Sequence, residues 1–247
     1  MDDVRLIADQ FGRAAQSYDA YAQVQARVSH ALATMIPSYV AHGSTVVDVG
    51  AGTGAIARRA PDYAWLHIDA SEAMCRQIDM GERLCADGRA LPLRDGSMDG
   101  YVSSMAWQWM HPLDATICEM QRVLRHGGYA IIATLVEGTL CELAEAFRCS
   151  GVPSPLLTYP SAASLHDLLI HHECAIHHHA IETHRMHDKD AYAMLRNLKH
   201  IGAIAHKRAP LSVAEVRAVC RAYAQGTIGG VVSSYQVGWW VVSKRRK

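Results

Sequence analysis

The residues with the most evident chemical potential lie in one short stretch, Val47-Asp48-Val49-Gly50-Ala51-Gly52-Thr53-Gly54. A β-branched run leads into glycines spaced G-x-G-x-G, and missing Cβ atoms let a turn approach a ligand at the start of the next element. Asp69 follows Leu66-His67-Ile68, about twenty residues downstream, where Rossmann folds place an acceptor for ribose hydroxyls. These two features would also suit a dinucleotide. The spacing, however, is not the G-x-G-x-x-G pyrophosphate fingerprint, and Asp48 puts a carboxylate beside the turn, which suits a cationic amino group better than a diphosphate. A third acidic position, Asp87 with Gly88, precedes Leu91-Pro92-Leu93.

Such residues work only if ordered elements hold them. Leu6, Ile7 and Phe11, then Val24, Val28, Leu32 and Ile36, recur at helical spacing and predict two helices ahead of the turn. Thr45 to Val49 predicts a buried parallel strand. A helix after Gly54, a strand at Trp65 to Ile68, a helix opened by Ser71, and a strand near Met98 to Ser103 follow. A helix over Leu113 to Leu124, closed by Gly127-Gly128, and a strand over Tyr129 to Thr134 complete the alternation. Farther on, Ser161 caps a helix, Ala175 to Thr183 reads as a strand, Asp188 caps a helix, and Ser212 with Glu215 forms a capping box for a helix ending at Gly226. A last strand spans Tyr235 to Val242. The expected fold is α/β: a Rossmann-like, doubly wound, mostly parallel seven-stranded sheet with an antiparallel last strand. One domain is expected over 1–247, with an N-terminal helical lid at 1–42, a cofactor-binding core at 43–135, and an acceptor half at 136–247 containing a helical insertion at 188–226.

With these three acidic positions around the glycine turn, the chain from Thr45 to Thr134 resembles the class I S-adenosylmethionine-dependent methyltransferases. The resemblance implies S-adenosyl-L-methionine as cofactor and S-adenosyl-L-homocysteine as product. Arg13, Asp48, Gly50, Ala51, Gly52, Asp69, Ala70, Met74, Asp87, Gly88 and Met105 would surround it, with Asp87 near the adenine amino group and Met74 over the ring.

A narrower likeness lies outside this core. Phe11-Gly12-Arg13-Ala14-Ala15 with Ser17-Tyr18, Trp107-Gln108-Trp109, Thr134 to Leu140 (TLVEGTL) with Glu142-Leu143, and Leu198 to Ala203 (LKHIGA) resemble the malonyl-acyl-carrier-protein O-methyltransferase family of biotin synthesis. Gly229 to Tyr235 is a looser match. The likeness implies esterification of the free carboxylate of a malonyl thioester on acyl carrier protein, which disguises the malonyl group as a fatty-acid primer. Malonyl-CoA is a second acceptor compatible with that chemistry. A malonyl carboxyl group is ionised near pH 7, so the nucleophile needs no general base, and the task is positioning and exclusion of water. Tyr18, Arg148 and Lys199 are expected to orient the acceptor, with Gln108 and Trp109 beside the transfer centre. Arg196, Lys199, Lys207 and Arg208 are expected to meet the acidic carrier protein. Two other readings stay open: a methyltransferase for another small acid or hydroxyl, and a catalytically silent cofactor-binding subunit.

Composition narrows the partners. Of 247 residues half are hydrophobic, which provides a sizeable core, and 24 Lys and Arg balance 24 Asp and Glu. Such a balance argues against a global footprint for nucleic acid or an anionic membrane. No apolar run reaches bilayer length, and no signal peptide is apparent, so a cytoplasmic location is expected. The seven cysteines are scattered without a C-x-x-C and read as reduced core thiols. Fifteen histidines include His177-His178-His179, of which His177 and His179 would share a strand face, but no ligand set accompanies them and no metal is expected. Trp239 and Trp240 read as core aromatics, and Lys244 to Lys247 as a solvated tail.

Overall fold

The architecture follows from a computed structural model, which describes residues 2–201, 211–224 and 230–245. Seven strands form one sheet: β1 (Thr45–Val49), β2 (Ala64–Asp69), β3 (Glu82–Cys85), β4 (Met98–Ser104), β5 (Leu124–Leu135), β6 (Cys174–Asp188) and β7 (Val231–Lys244). Their order is β3-β2-β1-β4-β5-β7-β6. Only β7 runs against its neighbours, with Ile131 opposite Val241 on one side and His178 opposite Val241 on the other. Strand order reverses between β1 and β4, which opens a crevice at the carboxyl ends of these two strands.

Strand residues alternate between the sheet's faces, so the central strands β1, β4, β5 and β7 feed two cores. Val46, Val102, Ile131, Val237, Trp239 and Val241 pack on one face with α3 (Gln23–Met35), α6 (Cys141–Ser150), α8 (Ala191–His200) and α9 (Val213–Ala224). Val47, Tyr101, Ala130, Ile132, Trp240 and Val242 pack on the other with α5 (Leu113–Val123) and α7 (Ala162–His171). Trp239 and Trp240 thus anchor opposite cores. At the crevice end, α1 (Asp2–Ala14) packs against the short α4 (Glu72–Cys75), and α2 (Tyr18–Tyr21) follows it.

Several local expectations are corrected. Turns and one 3₁₀ turn at Ala57–Arg59 replace a helix after Gly54, because Pro61 disfavours helical backbone at Ala60, whose ψ is 69°. Leu124 is already extended, so α5 ends before Gly127-Gly128 and β5 begins there. Asp188 stays in the β6 ladder opposite Val231, and Asp190 caps α8 by accepting from the Ala193 amide at 2.7 Å. The capping boundaries at Ser161 and Ser212 are as expected, while Gly226 lies outside the described residues. An irregularity between Ile176 and His178 shifts β6 by one residue. In consequence His177 meets Tyr129 on one face while His179 stacks on Trp240 on the other. The cysteines are all free, but Cys85, Cys118, Cys141 and Cys149 are exposed and only Cys75 and Cys174 are buried. No helix among the described residues is long and apolar enough to cross a membrane.

Candidate functional site

The turn after β1 is shaped by its glycines. Gly50 (φ +75°) passes so close to Ala106 that an added Cβ would sit 2.2 Å from that methyl group. At Gly52 (φ +56°) a Cβ would meet nothing within 4 Å, because the position faces open crevice. The Asp69 carboxylate, at the end of β2, fixes the turn by accepting from the Gly52 amide at 2.9 Å and the Ser71 amide at 2.8 Å. Burial raises its pKa, the two amide bonds counter that, and nearby Asp48 adds to the rise.

Asp48 is 1% exposed, and neither of its carboxylate oxygens has a hydrogen-bond partner among the described residues. The Nδ1 of His67, equally buried, stands 3.5 Å away, too far for a good hydrogen bond. Burial pushes the Asp48 pKa up and His67 pulls it only partly back. Asp87 is the opposite case: burial would raise it, but the Arg89 guanidinium grips both oxygens and the net shift is downward.

Three cavities run along the crevice. The first is lined by Gly50, Gly52, Asp69, Ala70, Met74, Asp87, Gly88, Met105 and Trp109, with Phe11 of α1 over it. A second contains Asp48, Ala51, Thr53 and Ser29. The third and smallest of the three lies deeper toward β5 and β7, between Gln108, Leu135, Leu140, Tyr159, Leu198, Ile201 and Tyr235. Tyr18 lines all three. It is held there by its neighbour: Asp19 accepts from the Thr53 hydroxyl at 2.7 Å and from Arg58 at 3.1 Å, which latches α2 onto the glycine turn. Tyr21 stacks on His200 of α8 at 4.3 Å, and Phe11 meets Trp109 edge-on at 5.2 Å.

Met105, between the first and third cavities, has a left-handed backbone (φ 57°), a strained conformation for a long side chain. Gln108 holds it. Its amide donates to the Met105 carbonyl at 2.6 Å and accepts from the Thr134 hydroxyl at 2.7 Å. The Thr134 to Leu140 segment is tied to β7 in turn. The Thr139 hydroxyl accepts from the Gln236 amide at 3.0 Å, and Glu142 accepts from the Ser234 amide at 3.1 Å and from its hydroxyl at 2.5 Å.

Of the residues expected to surround a cofactor, all but Arg13 line the first or second cavity, and Arg13 is exposed at the end of α1. Tyr18, Gln108 and Trp109 converge on the third. Arg148 does not: it points to solvent from α6, ion-paired with Glu145. Lys199 is exposed on α8, three residues from exposed Arg196 and on the side away from buried Leu198. Lys207 and Arg208, with Gly202 and Ala203 of the LKHIGA segment, lie outside the described residues. His67, Arg89, Tyr159 and Tyr235 are additional site residues. His67 could have been noticed from period-two alternation, being level with Asp48 once β1 and β2 are paired; nothing in its spacing marks Tyr159.

The donor set fits an S-adenosyl sulfonium compound. A buried carboxylate without a hydrogen-bond partner (Asp48) stands ready for an ammonium, a carboxylate at a strand end (Asp69) for a ribose, and a cleft between Met74 and Asp87 for a purine. When bound, such a compound supplies an electrophilic methyl group.

Comparison with known proteins agrees. A methyltransferase domain family matches residues 47–132. The chain is 38% identical over 161 residues to a malonyl-[acyl-carrier protein] O-methyltransferase of Geobacter sulfurreducens, a match spanning 61% of this chain and 60% of that one. A protein of the same name from Pectobacterium atrosepticum is 32% identical over 254 residues, covering 96% of this chain and 95% of its own length. Among solved structures, a putative methyltransferase from Bacillus halodurans superimposes with a TM-score of 0.65 at 11% identity, over 87% of this chain and 99% of that one, and so shares the fold. A mostly parallel seven-stranded sheet, a glycine turn built for an S-adenosyl group, and relatedness along nearly the whole length together assign the chain to the malonyl-[acyl-carrier protein] O-methyltransferase family of S-adenosylmethionine-dependent enzymes.

Proposed function

We propose that this chain transfers a methyl group from S-adenosylmethionine to the free carboxylate of a malonyl thioester carried on acyl carrier protein, forming the malonyl methyl ester that primes the pimeloyl chain of biotin. The observation that carries this reading is the third cavity. Its walls come from the TLVEGTL segment (Leu135, Leu140) and the LKHIGA segment (Leu198, Ile201), and it shares Phe11, Tyr18, Met105 and Trp109 with the cofactor cavity. A largely apolar chamber that adjoins the cofactor cavity across these four residues suits a short acyl terminus delivered for methyl transfer.

In this reading Asp48, Asp69 and Asp87 hold the cofactor's amino, ribose and purine groups. Tyr18 and Trp109 close over the transfer centre, and Gln108 fixes the backbone beside it. The helices α1, α2, α3, α8 and α9 form a lid that excludes water from two charged reactants. Arg196 and Lys199, exposed on one face of α8 near the third cavity, would steer the acidic carrier protein. The test is direct: incubate the chain with S-adenosylmethionine and malonyl-carrier protein, malonyl-CoA or free malonate, and measure each acceptor by mass spectrometry. A gain of one methyl on the carrier-bound malonyl group is expected. Methylation of free malonate alone would replace this reading with that of a small-acid methyltransferase, and a dominant coenzyme A product would remove the carrier protein from it.

A further inference from the structure

Among the described residues that line the third cavity there is no cation. Its described lining residues are apolar side chains, two glutamines, Trp109 and three tyrosines. Gln108 is already committed to Met105 and Thr134. Arg148 and Lys199 are exposed, and neither lines the cavity. What remains to meet an anion is the amide of Gln25 and a set of phenols: Tyr18 of α2, Tyr159 in the loop before α7, and Tyr235 of β7. Among the described residues, neither the Tyr18 nor the Tyr159 hydroxyl makes a hydrogen bond.

We propose, building on the function above, that the acceptor carboxylate is oriented by the neutral hydroxyls of Tyr159 and Tyr235, with Tyr18 at the junction with the cofactor cavity, instead of by a lysine or arginine. The phenols are suited to donate. Burial pushes Tyr159 up to about 12, and burial with the nearby Tyr159 also raises Tyr235. Burial with Asp69 and Asp19 raises Tyr18. All three therefore keep their protons at neutral pH.

The reaction gives this choice its purpose. A carboxylate oxygen lone pair forms the new O–CH₃ bond, the CH₃–S bond breaks with its electrons passing to sulfur, and no proton moves. The acceptor begins as an anion and ends as a neutral ester. A guanidinium would add the attraction of a full ion pair to its hydrogen bonds, hold the starting anion more tightly than the transition state, and slow the transfer. Phenols place the anion while surrendering less as its charge disappears. The ester product accepts more weakly from the same hydroxyls and is free to leave.

The experiment uses the full chain saturated with S-adenosylhomocysteine, which cannot transfer a methyl group. Calorimetry measures binding of malonyl-pantetheine and of its preformed methyl ester to the wild type, Tyr159→Phe, Tyr235→Phe and the double variant. Affinity for the acid should fall roughly ten- to a hundredfold per hydroxyl, the size of one hydrogen bond to a charged group. Affinity for the methyl ester and for S-adenosylhomocysteine should stay within about twofold, and turnover of malonyl-carrier protein should show the same loss chiefly in KM. Equal loss for acid and ester would make the tyrosines packing residues only, and no loss for either would remove them from the site. If the wild type neither binds malonyl-pantetheine nor methylates malonyl-carrier protein, the functional assignment itself fails. A wild type that does both while the variants match it overturns only the phenol cage.

Discussion

Replacing Asp48 by asparagine should move binding and stability in opposite directions. The side chain is buried beneath the glycine turn, both oxygens are without hydrogen bonds among the described residues, and His67 is 3.5 Å away. If this carboxylate awaits the cofactor's ammonium, its loss removes a charge-assisted hydrogen bond, worth about 2 kcal/mol, which corresponds to roughly thirtyfold weaker binding. Stability responds the other way. Burial raises the folded-state pKa of Asp48 above its unfolded value, so the folded chain retains that proton to higher pH. Stability therefore falls as pH rises from the unfolded pKa, about 3.9, to the folded one, and the deficit persists above it. Each unit of elevation costs about 1.4 kcal/mol at neutral pH, or roughly 3–6 °C of melting temperature for a chain of this size. Asparagine does not titrate. The apo variant should melt a few degrees above the wild type at pH 7, and the gap should close as pH falls below about 4. Titration calorimetry with S-adenosylhomocysteine and thermal melts across pH measure both. Unchanged affinity together with a lower melting temperature would make Asp48 a structural partner of His67 and refute the reasoning.

Gly50→Ala, with its Cβ driven to 2.2 Å from Ala106 at a positive φ, should abolish cofactor binding in calorimetry, while Gly52→Ala, which carries backbone strain without a clash, should weaken it less. Gln108→Leu leaves the Thr134 hydroxyl and Met105 carbonyl unsatisfied and should lower stability by about 2 kcal/mol in urea titrations while reducing kcat more than it weakens cofactor affinity. Arg148→Ala, in which an exposed pair with Glu145 and an exposed contact with Cys149 are lost, should leave turnover and cofactor affinity within about twofold in steady-state assays. Thiol titration of the native chain should modify exposed Cys118 readily and Cys75 only on unfolding, since burial shields Cys75 and pushes it up to about 12.

The cofactor half of the site was legible because it is local. One strand, one turn and the ends of two further strands carry Asp48, Gly50, Gly52, Asp69 and Asp87, and parallel pairing brings them together with little freedom. Acceptor residues were harder to read, since the third cavity draws on segments from Phe11 to Tyr235 that meet only through tertiary packing. Charge was a misleading guide there. Arg148 is the sort of residue expected to hold a carboxylate, yet its position on α6 turns it to solvent, while Tyr159 sits in an irregular stretch with no periodicity to mark its direction. Element ends failed for physical reasons of the same kind. Asp188 has the chemistry of a helix cap, but ladder pairing with Val231 holds it extended and Asp190 takes the role. The β6 irregularity at His177 is also a tertiary effect, invisible to a strict period of two.

The most direct test of the whole account is a crystal structure of the chain with S-adenosylhomocysteine and malonyl-pantetheine bound together. The account predicts the cofactor's amino group against Asp48, its adenine between Met74 and Asp87, and the malonyl carboxylate in the chamber between Tyr18, Tyr159 and Tyr235. A malonyl group bound elsewhere on the surface, or a cofactor outside the glycine crevice, would contradict it.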